Sequence, residues 1–231
     1  MNEPIERLKS VRQRIEKACI AAGRQADEVS LLAVSKRHPA DKIFVFNKLG
    51  LCSFGENQLQ EALDKQQELS SLDLQWHFIG TIQSNKTRSI AENFQWVQSV
   101  DRQKILERLS TQRPDYLPPI NVCLQVNIDR EPQKADASPE DILNLAYLTE
   151  DLGNVSLRGL MAIPRMTADL SEQRESFRNV KALFEKLKKA GHEVDTLSMG
   201  MSCDLEAAIS EGSTMVRIGT DLLGPRNTSK K

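Results

Sequence analysis

Lys36 is the first charged residue after the apolar run VSLLAVS at residues 29–35. A lysine partly withdrawn from water at such a place is easier to deprotonate, and a neutral amine can form a Schiff base with an aldehyde. The plainer alternative is a solvated lysine at a strand end. A second kind of chemistry is suggested by SMGMSCD at residues 198–204 and RIGT at residues 217–220, which combine glycine with hydroxyl side chains. Glycine lets a backbone come close, while outward N–H groups and hydroxyls donate hydrogen bonds, and a phosphate cradle needs these features. Ordinary turn and capping chemistry at Ser202 and Asp204 is the alternative. Arg217 falls inside the apolar stretch MVRIG, where a charge requires either a ligand or a partner such as Asp101 or Glu56. Glu56 with Glu61 has the composition of an acid/base pair, although Glu61 is more simply a solvated helix residue. His77 in QWHFIG reads as a hydrogen-bonded core histidine, and KLKKAGHE around Lys189 as a solvated helix end.

These residues need elements to bring them together. Short β-rich runs are expected at residues 29–35, 51–54, 76–79, 96–100, 121–127, 157–163, 196–199 and 215–218. Helical periodicity is expected in an extra N-terminal helix at about residues 3–22, then from Pro39 to before Gly50, and over 57–69, 139–152, 171–190 and 204–210. Eight strands alternating with mostly helical connectors point to a parallel sheet, and at this length to a single-domain (β/α)8 TIM barrel. An open doubly wound sheet satisfies the same alternation. In a barrel, chemistry collects where strands end, which is where Lys36, Asn57, Gly200 and Thr220 fall. The longest polar connector, DREPQKADASP at residues 129–139, carries Lys134. Connectors of that length are functional or mobile.

Composition excludes several classes. With 231 residues the chain buries about 70% of its unfolded surface and needs no staple. Lys and Arg number 31 against 32 Asp and Glu, which disfavours a nucleic-acid partner. The cysteines at 19, 52, 123 and 203 are far apart and only three histidines are present, so neither a metal site nor a disulfide framework is expected. The start MNEPIERLKS has no apolar signal region and no run has the length of a membrane span, so a reduced, cytoplasmic protein is expected.

The motifs LLAVSKRHPA, SFGENQLQE, WHFIGTIQSNK, QVNIDREPQK, LRGLMAIP, LSMGMSCDLEAAISEGSTMVRIGT and a closing GPR run in order over most of the chain. Together the sequence resembles the pyridoxal phosphate homeostasis protein family, related to the N-terminal barrel of alanine racemase. The resemblance implies a (β/α)8 barrel that binds pyridoxal 5′-phosphate as a Schiff base on Lys36. It implies phosphate contacts at Ser198, Gly219 and Thr220, with Met199 and Gly200 as secondary candidates, and it puts Arg217 toward the pyridine nitrogen and Asn57 near the ring. Lys134 matches a family lysine implicated in cofactor handling. An arginine beside that nitrogen disfavours its protonation, which weakens the ring as an electron sink. The sequence departs from the commoner family pattern at Gln58, at Ala135 and Asp136, and at Asp221, Leu222 and Leu223.

Two functions follow from the resemblance. One is a non-catalytic protein, monomeric and cytoplasmic, that holds the cofactor, supports cofactor and amino-acid homeostasis, and passes it to apo forms of pyridoxal phosphate enzymes. The other is an amino-acid racemase. Racemisation needs a second base opposite Lys36, supplied in alanine racemase by a tyrosine of a further domain. Here the tyrosines, Tyr116 and Tyr147, fall in a proline-rich loop and in a helix, which favours the carrier. A barrel enzyme acting on a phosphosugar would explain the phosphate cradle but leaves Lys36 without an aldehyde.

Overall fold

The computed structural model describes residues 2–134 and 136–225; Ala135, and Arg226 of the GPR motif, lie outside them. Among the described residues, eight strands pair in chain order and close: β1 (Ser30–Val34), β2 (Ser53–Glu56), β3 (Gln75–Phe78), β4 (Trp96–Val100), β5 (Ile120–Val126), β6 (Val155–Ala162), β7 (Thr196–Ser198) and β8 (Met215–Ile218). The strand β8 returns to β1 in parallel, with Leu32 opposite Arg217 and Ala33 opposite Ile218. That closure decides for the barrel over the open sheet. The helices are α1 (Asn2–Ala21), α2 (Ala40–Lys48), α3 (Leu59–Glu68), α4 (Thr87–Asn93), α5 (Gln103–Gln112), α6 (Asp141–Glu150), α7 (Leu170–Lys189), α8 (Leu205–Ser210) and α9 (Thr220–Leu223).

Most boundaries lie within two residues of the sequence expectation. The strand β2 starts later than expected because Leu51 belongs to the end of α2: its N–H donates to the Phe46 carbonyl. The helices α4 and α5 carry no named expectation; α5 nevertheless buries Ile105, Leu106 and Leu109. The extra helix is present as α1, which turns Leu8, Val11, Ile15 and Cys19 inward against α8 and α9.

Alternation along each strand separates two apolar layers. Facing the helices, Phe54, Phe78, Val97, Leu160, Leu197, Val216 and Ile218 join Ile43, Phe46, Ile105, Phe177 and Phe184 in one buried cluster. Each such side chain contributes about 1.5–3 kcal/mol on burial. Facing the barrel axis, Trp96, Cys123 and Met161 form a separate cluster. There the His77 ring stacks on Trp96 with centroids 5.1 Å apart, and the Arg158 guanidinium stands 5.0 Å from the Trp96 ring. The lower end of the barrel is therefore filled, and its open face is the mouth where the strands end.

Candidate functional site

The same alternation decides which residues face the mouth. Leu32 and Val34 point to the axis, and Lys36 lies two residues past the end of β1, half-buried in the turn that follows. Gly55 also faces the axis: a Cβ there would sit 3.3 Å from Leu32 and 3.2 Å from Ile79. Ser198 lies on that row of β7 and Arg217 on that of β8, where a Cβ on Gly219 would meet Val34; Asn57 follows directly on β2, whereas the Cβ direction of Gly200 turns outward to Ala208 and Val216. Lys36, Asn57, the loop after β7 and the loop after β8 thus occupy four adjacent strands, in the order β7, β8, β1, β2. Met199 falls on the opposite face, packed in the outer core, so it can contribute only backbone here.

Arg217 is buried and donates through Nη1 to the Ser198 carbonyl at 2.7 Å and the Ser198 hydroxyl at 2.8 Å, and through Nη2 to the Ala162 carbonyl at 2.9 Å. Neither carboxylate considered for it is engaged: Asp101 pairs with Arg102, and Glu56 with Lys65. Burial pulls the Arg217 guanidinium down to about 10, with Asp204 opposing, which leaves it cationic at neutral pH. The oxygens that accept from it are neutral, and the carboxylate that acts on it, Asp204, does so through space without a hydrogen bond to it.

Below Arg217 runs a polar column. The Ser198 hydroxyl donates to Gln98 Oε1 at 2.7 Å, Gln98 Nε2 donates to His77 Nδ1 at 2.9 Å, and His77 Nε2 meets Gln75 Oε1 at 3.1 Å. The amide orientation makes Nδ1 an acceptor and puts the imidazole proton on Nε2. Burial lowers His77 to about 3, so it stays neutral and the column is a fixed set of bonds rather than a proton path. His77 is the hydrogen-bonded core histidine of the sequence expectation. Ser198 differs from its expected role: its only proton goes to Gln98, so its hydroxyl holds Arg217 and cannot also donate to a phosphate.

The phosphate-type donors lie higher, in the two loops. Gly200, at φ 97°, is packed so closely that a Cβ would come within 2.6 Å of Ala208. The turn beyond it is closed by Asp204, whose Oδ1 accepts from Met201 N at 2.5 Å. After β8, the Leu222 and Leu223 N–H groups bond to the Gly219 carbonyl, while Thr220 opens α9, where the first N–H groups have no partner within the helix. Thr220 is exposed and Ser202 half-buried. Arg14 of α1 ties these loops together: it donates to the Ser202 carbonyl at 2.8 Å, to Glu206 Oε1 at 2.7 Å and to Asp221 Oδ2 at 2.6 Å. Sequence reasoning missed Arg14, which sits unmarked on the polar face of an amphipathic helix. Asp221, one of the departures from the family pattern, is spent on this clamp, and Leu222 and Leu223 are buried.

The turn that carries Lys36 is also held. Arg37 adopts φ 61°, a left-handed conformation that costs a non-glycine residue about 1–3 kcal/mol, and its N–H donates to Glu61 Oε1 at 2.5 Å. Glu56 faces away from the axis, fully buried; burial pushes its carboxyl above the usual range against the pull of Lys65. Glu56 and Glu61 are therefore not an acid/base pair at the mouth but two acceptors for one ammonium. On the neighbouring strand end, Asn57 Oδ1 is buried with no hydrogen-bond partner. A Cβ on Gly80 would lie 2.3 Å from the Asn57 carbonyl, so only glycine lets the β2 and β3 loops meet there. Lys134 stands apart from the four-strand arc, its ammonium donating to the Ile163 carbonyl at 2.6 Å and pairing with Glu131. Its loop is drawn in by reciprocal bonds between Asn127 and Glu131.

A lysine just past the end of β1, a buried guanidinium held by neutral oxygens, an unpartnered buried amide oxygen and two donor-bearing loops suit an aromatic aldehyde that carries a phosphate. Among the described residues no helix is long and apolar enough to cross a membrane.

Comparison with known proteins bears on this arrangement. Residues 7–227 match the family model described as alanine racemase, N-terminal domain. Proteins named pyridoxal phosphate homeostasis protein are 55% identical over 227 residues in Pseudomonas aeruginosa, covering 98% of this chain and 97% of that one. In Escherichia coli the identity is 46% over 234 residues, covering all of both chains (100% each). The structure of PipY from Synechococcus elongatus with PLP bound superposes with a TM-score of 0.84 at 36% identity, covering 96% of this chain and 100% of that one. An alanine racemase of Clostridium difficile shares the fold, with a TM-score of 0.77 at 13% identity over 99% of this chain and 58% of its own. The chain belongs to the pyridoxal phosphate homeostasis protein family, built on the alanine racemase N-terminal domain.

Proposed function

We propose that this chain binds pyridoxal 5′-phosphate at the barrel mouth as a Schiff base on Lys36, and that it is a non-catalytic holder of the cofactor. The observation that supports the reading is that Lys36 follows the end of β1, the strand paired with the one that carries Arg217, next to the two donor loops. The bound cofactor brings a reactive aldehyde and an electron-poor ring. Lys36 would supply the amine that holds the aldehyde end of the cofactor. Ser202, Gly219 and Thr220 supply phosphate donors, and Asn57 Oδ1 accepts from the ring side. Arg217, a fixed cation hydrogen-bonded only to neutral oxygens among the described residues, disfavours a proton on the pyridine nitrogen. Racemisation finds no support in the tyrosines: Tyr116 is exposed in the connector before β5, and Tyr147 on α6 packs against His192. The same reading makes the protein a cytoplasmic monomer that takes part in intracellular vitamin B6 and amino-acid homeostasis and hands the cofactor to apoenzymes.

The test is a spectral titration with pyridoxal 5′-phosphate, followed by incubation with L-alanine and chiral chromatography. A visible band with L-alanine left unchanged is expected. Steady formation of D-alanine would overturn the non-catalytic reading, and the absence of any band would overturn the cofactor itself.

A further inference from the structure

Lys65 on α3 is only 6% exposed. Its ammonium donates to the Ser35 carbonyl at 2.9 Å, to Glu56 Oε1 at 2.7 Å and to Glu61 Oε1 at 2.6 Å, which uses its three protons. Glu61 Oε1 is also the acceptor for Arg37 N, and Glu56 Oε1 the acceptor for the Ser35 hydroxyl at 2.6 Å. One ammonium thus fastens both residues that flank Lys36: Ser35 directly and through Glu56, Arg37 through Glu61. Fold stability does not account for such a group, because apolar side chains of similar volume commonly replace a buried ion pair at no loss. An apolar side chain lacks direction, however. It could neither hold the Ser35 carbonyl nor keep Glu61 aimed at the N–H of a residue in the left-handed region.

We propose that Lys65, acting through Ser35 and the Glu61–Arg37 bond, is a positioning residue that sets the direction in which Lys36 leaves the end of β1. This rests on the proposed attachment of the cofactor at Lys36. It concerns the aldehyde end alone, since neither Lys65 nor its partners belong to the loops after β7 and β8.

The experiment compares two ligands on the full chain. Pyridoxal 5′-phosphate engages the lysine, whereas pyridoxine 5′-phosphate carries an alcohol in place of the aldehyde and reports the ring and phosphate contacts only. In Lys65→Met the affinity for pyridoxal 5′-phosphate is expected to fall about tenfold or more, with that for pyridoxine 5′-phosphate unchanged within about twofold. Glu61→Ala, which removes the Arg37 acceptor from a half-exposed position, is expected to show the same split at about threefold, and it decides the matter should Lys65→Met fail to fold. Equal weakening of both ligands, or of neither, overturns the positioning role while leaving Lys36 as the anchor. If the wild-type protein binds the two ligands alike, the aldehyde gains nothing from Lys36; the functional reading then falls and the inference falls with it.

Discussion

On the β1–β2 side of the mouth, the turn bearing Lys36 is held from beneath by Lys65, which is almost out of water. On the β7–β8 side, the donor loops are fastened by Arg14, whose side chain is 31% exposed, as are its partners Glu206 and Asp221 in larger part. The two fastenings differ in physics as well as in place. An ion pair in reach of water is screened by salt and contributes about 0–1 kcal/mol. A buried one adds little to net stability but is costly to break on one side only, by about 3–5 kcal/mol. The aldehyde end is therefore built to one geometry, whereas the phosphate end rests on backbone donors and a yielding clamp. Between them stands Arg217, held by neutral oxygens and by the Ser198–Gln98–His77 column.

This contrast can be broken most sharply at Lys36. In Lys36→Ala the affinity for pyridoxal 5′-phosphate should drop about a hundredfold, while pyridoxine 5′-phosphate binding stays within about threefold. Arg217→Met should weaken both ligands by about tenfold and also destabilise the fold in urea by about 1–3 kcal/mol, because the Ser198 and Ala162 carbonyls lose their donor. His77 gives a test of the column that needs no ligand. Its folded pKa, depressed by burial from 6.5 to about 3, means that its contribution to stability is complete above the unfolded value and is lost as pH falls toward the folded one. Between about pH 7.5 and about pH 5 this amounts to about 2 kcal/mol, and urea unfolding of His77→Gln should show a correspondingly flatter pH dependence. Arg14→Ala should have the smallest effect, about threefold on both ligands alike at low ionic strength and vanishing in about 1 M salt. An Arg14 variant that lost one ligand selectively would contradict the division into two ends.

Much of this was legible in the chain. The apolar run before Lys36, and the glycine and hydroxyl loops at 198–204 and 217–220, each mark a strand end that the barrel brings to one mouth, with Lys36, Asn57 and Arg217 at the ends of the neighbouring strands β1, β2 and β8. The rest depends on contacts between segments distant in sequence. Arg14 reaches a carbonyl 188 residues away, and Ser198 meets Gln98 across 100 residues, neither of which periodicity can reveal. Glu56 with Glu61 reads in the sequence either as an acid/base pair or, for Glu61 more simply, as a solvated helix residue, whereas in the fold Lys65 claims both. Ser198 misled for the reason that a hydroxyl near a glycine loop is a natural phosphate donor until its single proton is found to be committed.

The most direct measurement is borohydride reduction of the protein mixed with pyridoxal 5′-phosphate, followed by proteolysis and mass spectrometry of the lysine-containing peptides. The account predicts one dominant labelled site, Lys36, with the label lost in Lys36→Ala. Labelling centred on another lysine such as Lys134, with Lys36 unmodified, or no stable label at all, would contradict it.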